Sequence, residues 1–128
     1  MTAPQGSVRL AVPPGARYLS AVRVVAGAMA ADAGFSVDDL DDLRLGVDEL
    51  VSALIAGLDG ADVTDVRITL DYLIDGASVV VRGGVEGAEA NAVPDPLTSK
   101  ILAAVADHYE LGPSSFVITK SSSLREHL

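Results

Sequence analysis

Apolar and polar residues alternate at the start of the chain. Val8, Leu10 and Val12 interleave with Ser7, Arg9 and Ala11 until Pro13, Pro14 and Gly15 break the run, which predicts a half-buried strand followed by a turn. From Ala16 to Ala33 the period changes. Leu19, Val22, Ala26 and Met29 recur at three- and four-residue spacing with Gly34 behind them, the pattern of a helix and its C-terminal cap. A second helix is expected to start at Ser36, with Asp39 three residues on as its capping partner and Asp38 and Asp39 at the positive end of the helix dipole. Leu40, Leu43, Val47, Leu50, Val51, Leu54 and Ile55 trace one apolar stripe along it, and Gly57, Asp59 and Gly60 end it.

Strict alternation returns at Val66, Ile68, Leu70, Tyr72 and Ile74. Asp75-Gly76 offers a two-residue type I′ turn into a strand over Ser78 to Arg82, so these two strands form an antiparallel hairpin. No period is sustained between Gly83 and Asp95, and the segment reads as an exposed loop. Asp95 as cap and Pro96 at the first position open a third helix marked by Leu97, Ile101, Leu102, Val105 and Tyr109. A short strand at Tyr109 to Leu111 and a last one through Phe116, Val117, Ile118 and Thr119 follow, with a loose tail from Ser121 to Leu128. This order implies an α+β two-layer sandwich, about three helices on one face of a mixed, mainly antiparallel sheet.

At 128 residues the chain is expected to form a single domain over 1–128, with its core at about 7–120. The residues are 49% hydrophobic but only 4% aromatic, so the core is aliphatic. The absence of Cys removes disulfides, thiolate metal sites and cysteine nucleophiles. Nine basic residues against eighteen acidic ones give a net charge of −9, which repels phosphate backbones and argues against direct nucleic-acid binding. Met1 to Ser7 carries neither a basic start nor an apolar stretch, and the longest apolar segment, Tyr18 to Ala33, contains Arg23 and Asp32. A cytoplasmic protein without a membrane span is therefore expected.

Candidate chemistry is sparse. His108 and His127 have no carboxylate or second His at ligand spacing, so no metal site is expected. Most of the acidic run Asp32, Asp38, Asp39, Asp41, Asp42, Asp48 and Glu49 reads as a solvated helix face. Asp48 and Glu49 differ, because they lie late in the second helix, where the dipole gives a carboxylate nothing. Glu49 flanks the buried stripe and could face a groove as a general base. Arg82-Gly83-Gly84-Val85-Glu86-Gly87 offers glycines after a strand without the Lys-Ser/Thr of a phosphate loop, and reads as a turn.

The segment Leu43-Arg-Leu-Gly-Val-Asp-Glu-Leu-Val-Ser-Ala-Leu-Ile55 resembles the second-helix signature of the anti-sigma factor serine-protein kinases, within the histidine-kinase-like (GHKL, Bergerat-fold) ATPases. The element order fits from Ser7 to Lys120, including the helix around Ser99 to Asp107 and a closing strand Ser115 to Lys120. The resemblance implies a Bergerat-type sandwich. It makes Glu49 the match of the family's general base, here vestigial. It sets Ala53 where the family has a Mg²⁺-holding Asn, and Gly83 where the family has the Asp that takes the adenine amino group. Gly87 falls in the same degenerate glycine box. Ala53 has no oxygen to offer a metal, and losing a charged hydrogen bond costs about 1.5 to 3 kcal/mol, tenfold or more in affinity.

The lid is reduced to roughly Glu86 to Pro94, and Ser99 and Lys100 stand in place of the second glycine box. Phosphoryl transfer depends on holding phosphates and Mg²⁺, so no cofactor is expected; ATP and Mg²⁺ would be required only if the family site still functions. Arg23, in Ala21-Val-Arg-Val-Val-Ala26, matches a family arginine on the surface used by the sigma factor and by the STAS anti-anti-sigma factor. Val22, Val24 and Val25 exceed what one buried stripe needs. The resemblance thus implies an anti-sigma regulator working by partner switching in a stress response, and family members are often homodimers. The alternatives are an active ATP-dependent serine-protein kinase using Glu49, and a structural or dimerisation module without nucleotide.

Overall fold

The computed structural model describes residues 6–123. Strand β1 spans Ser7–Val12, and a 3₁₀ turn over Ala16–Tyr18 leads into α1, Leu19–Asp32. The first helix is therefore shorter than its apolar spacing predicts, since its opening residues take the tighter turn. Helix α2 runs Val37–Ala56, β2 Arg67–Asp75, β3 Ser78–Glu86, α3 Pro96–Val105, β4 His108–Leu111 and β5 Ser115–Ser121. Tyr109, expected both on the apolar stripe of the third helix and in a short strand to Leu111, lies in that strand, β4, and Leu97 of α3 is exposed.

The five strands take the order β1-β2-β3-β5-β4. Every pairing is antiparallel, which corrects the mixed sheet. Register follows the alternation: Val8 opposes Tyr72, Leu10 opposes Leu70, and Val81 opposes both Tyr72 and Ile118, so one face collects the apolar side chains. Onto it the helices lay Val22 and Ala26 of α1, Leu43, Val47, Leu50, Val51 and Leu54 of α2, and Leu102 of α3, all of them buried. The result is an α+β two-layer sandwich. The Tyr72 hydroxyl, buried beneath α1, donates to the carbonyl of Val22 at 3.0 Å, and burial pushes its pKa up.

The starts of α2 and α3 are as expected. Ser36 Oγ accepts from the Asp39 N–H at 3.1 Å, and Asp95 Oδ1 accepts from the Thr98 N–H at 2.7 Å with Pro96 in the first turn. The hairpin turn is displaced by one residue. Asp75 pairs with Ser78, leaving Gly76 and Ala77 as the loop, and only Gly76 has positive φ (+63°). That is the pattern of a type II′ turn, so a glycine is needed at its first central position alone.

Strand β3 also runs further than expected. Gly83 and Gly84 continue the ladder opposite Leu70 and Thr69, because Phe116 of β5 lies against Gly83 where a side chain would otherwise stand. The end of the chain is held rather than loose as far as Ser123. Asp39 Oδ2 accepts from the Ser123 N–H at 2.8 Å and from its hydroxyl at 2.7 Å, and Lys120 Nζ lies 3.6 Å from Asp42 and 3.9 Å from Asp39. His127, in the predicted tail, lies outside the described residues.

Candidate functional site

Successive residues on a helix are rotated by about 100°, so adjacent carboxylates face different neighbours. Asp48 turns toward α1. Its carboxylate takes both arms of Arg23, with Nε donating to Oδ1 at 3.2 Å and an Nη to Oδ2 at 3.0 Å. The pair is half open to solvent, with the Arg23 side chain 42% and Asp48 25% exposed. Bidentate geometry fixes the guanidinium plane, which a single contact would leave free. Of the surplus valines on α1, Val22 is fully buried and Val25 packs against the core, but Val24 is 69% exposed.

Glu49 turns the other way, toward α3. It lines a cleft of about 230 Å³ with Ser52, Ala53, Ala56, Val93, Asp95 and Thr98, and its Oε2 accepts from the Thr98 hydroxyl at 3.3 Å. The structure thus brings Glu49 and Ala53 together, as their four-residue spacing requires. The cleft lining contains two carboxylates and no basic side chain, so a polyphosphate entering it would meet like charge. Ala53 contributes no oxygen ligand. Among the described residues no group of three or more His, Asp or Glu could hold a metal ion.

Gly83 and Gly87 lie outside that lining. Gly83 is buried in mid-strand with the Phe116 ring against its α-carbon, so the space an aspartate would need is already filled. Gly87 ends β3 at φ +95°, and a Cβ there would stand 2.5 Å from the carbonyl oxygen of Asp65. The glycines of this segment let backbone and ring approach closely, and the phosphate-loop geometry does not arise.

The segment between β3 and α3, expected to be an exposed loop, is a strap tied down across the end of α2. The Asn91 N–H donates to the Gly57 carbonyl and the Ala92 N–H to that of Pro113, both at 2.9 Å. Ser114 Oγ accepts from the Ala90 N–H at 2.8 Å and donates to the Ala90 carbonyl at 3.2 Å. Ala90 and Ala92 are buried. At Gly57 a Cβ would lie 2.6 Å from the Ala92 nitrogen, so this glycine is what lets the strap lie flat. The sequence reading missed the strap; its small residues Ala88, Ala90 and Ala92, alternating with polar ones, were the available signal.

Among the described residues no helix is long and apolar enough to cross a membrane. The fold and site define an α+β two-layer sandwich with a small acid-lined cleft on one flank of α2 and a fixed arginine on the other. In comparisons with known proteins, the chain matches no family model and no curated relative.

Proposed function

We propose that this protein is an anti-sigma-type regulator. It holds an alternative RNA polymerase sigma factor by protein contact, releases it to a STAS anti-anti-sigma partner, and works in the cytoplasm without nucleotide. The scaffold is read as a Bergerat-type domain whose ATP site has closed. The reading rests first on the residue resemblance around Glu49. The observation that carries it further is the Arg23–Asp48 clamp, a guanidinium locked in one plane on an accessible helix face with Val24 exposed beside it in sequence. A preorganised arginine with an apolar neighbour is the type of group that anchors protein interfaces. Net charge of −9 favours a basic partner, chiefly by speeding and orienting encounter.

Independence from ATP is supported by the cleft chemistry: no basic group, Ala53 in place of a metal ligand, and the Phe116 ring against Gly83. Calorimetry with ATP and Mg²⁺ is expected to give no saturable heat at micromolar concentration, and such a heat would overturn that part of the reading. Affinity capture from the native cytosol, read by mass spectrometry, is expected to recover a sigma factor or a STAS protein with the native chain and to lose it with Arg23→Glu. Recovery of neither would overturn the partner assignment.

A further inference from the structure

Among the described residues seven large apolar side chains are exposed, and four of them gather along one side of α2. Val93 of the strap, 71% exposed, lines the Glu49 cleft, and Leu97, 68% exposed, stands beside Thr98 in the first turn of α3. Leu45 lies one turn before Glu49 on α2, in the row that Ser52 and Ala56 continue along the cleft wall. Val63 lines a second hollow, of about 480 Å³, with Pro14, Ile55 and Leu58, and Ala56 belongs to the walls of both hollows. The two therefore adjoin as one groove, and from Leu45 to Ala56 it follows three turns of α2, about 16 Å. Single exposed valines and leucines are ordinary on a surface, whereas four beside one groove mark a place where something binds.

The inward side of the groove is already packed. A Cβ on Gly46 would meet Leu102 and Val105, and Glu49 reaches Thr98, so α2 and α3 lie antiparallel. Their sides leave no backbone N–H or C=O free for an extended peptide. The occupant that fits satisfies its own backbone, as an amphipathic helix laid in the groove does. Charge selects its composition. Glu49, Asp59 and Asp95 line the two hollows, and no Lys, Arg or His does. A lysine or arginine at the border of an apolar helix face can rest its aliphatic stem on Val93 or Leu97 and bring its cation to Glu49 or Asp95.

We infer that this groove is a docking surface for a basic amphipathic helix of a partner protein. Glu49 then acts as the acceptor for the partner's cation, which a carboxylate can do without a metal or a general-base role. The contact is at the small end of specific interfaces, so the affinity is micromolar. The inference rests on the groove and its rim. The sigma-factor reading uses the other flank of α2, at Arg23, and does not depend on it.

A synthetic amphipathic helix of about fourteen residues, built from Leu and Lys, tests this against the full chain by fluorescence anisotropy. Saturable binding in the micromolar range is expected, and none with the counterpart that carries Glu for Lys. Glu49→Lys should weaken binding at least about tenfold, whereas Asp38→Lys, an equal change of net charge at an exposed site in the first turn of α2, should weaken it less than about threefold. Val93→Ala with Leu97→Ala, both exposed and so without consequence for folding, should weaken it at least about fivefold. No saturation up to about 300 μM would overturn the proposal. Equal weakening by Glu49→Lys and Asp38→Lys would do so too, since it would reduce the binding to attraction by net charge, and so would binding that the alanine pair leaves unchanged.

Discussion

Asp48 and Glu49 are neighbours in sequence and opposites in setting. Asp48 faces the α1 flank, where an arginine meets it with two hydrogen bonds and solvent still reaches the pair. Glu49 faces the α3 flank, where its recorded partner is one hydroxyl at 3.3 Å and a bonded strap borders the cleft. One flank of α2 therefore presents a fixed group, and the other lines a small acid-walled cleft. A carboxylate gains catalytic meaning from what surrounds it, and around Glu49 the metal ligand and the cationic lining are lacking.

The largest effect is expected in the sheet beneath the Glu49 flank, at Gly83. Gly83→Asp drives a carboxylate into the Phe116 ring within the core and should cost about 4 kcal/mol or more in urea denaturation. A variant that kept native stability would show that the Phe116 ring can give way and that the room beside Gly83 is not filled. Further along the same flank, Asp39→Ala should cost about 2 to 3 kcal/mol by freeing Ser123 and leaving Lys120 with Asp42 alone.

The same group predicts an acid response. Burial pushes the Asp39 carboxyl up, but the Ser123 hydroxyl and N–H, Ser36 and Lys120 together pull it below its ordinary value of 3.8. Its folded pKa is therefore depressed, so its contribution is fully present above the ordinary value and is lost as the pH falls through the folded one. Stability measured from pH 6 to pH 2 should fall more steeply at the acid end in the native chain than in Asp39→Asn.

Gly57→Ala sets a methyl against the strap backbone, and should cost about 1 to 2 kcal/mol and speed hydrogen exchange at Asn91 and Ala92. Unchanged exchange there would mean that the strap does not depend on Gly57. The smallest effect belongs to the open flank. Arg23→Ala should change stability by less than about 1 kcal/mol, because the pair is half exposed. A larger loss would make the clamp a structural tie and remove its availability to a partner.

Helices and strands were legible wherever one local rule governed them. Ser36 and Asp95 announce their helices by capping chemistry, and the stripe from Leu43 to Leu54 announces its buried face by period. Two of the misreadings share one cause. Gly83 and Gly84 look like a loop because glycine marks loops when only chain neighbours are considered, yet they continue a strand because Phe116, more than thirty residues away, takes the room of a side chain. Residues 87–95 look exposed for the same reason, since their hydrogen-bond partners Gly57, Pro113 and Ser114 are remote in sequence.

Of the site, Glu49, Ala53 and Arg23 could be singled out in one dimension, but their surroundings could not. The sequence by itself determined the order of elements, the faces they bury, the acidic surface and the lack of thiol chemistry, because these follow from composition and from periods of 2 and 3.6 residues. Only the tertiary structure decided that Asp48 meets Arg23 and that Glu49 sits in an acid-lined cleft. Those outcomes depend on distances between residues far apart in the chain, which no local pattern encodes.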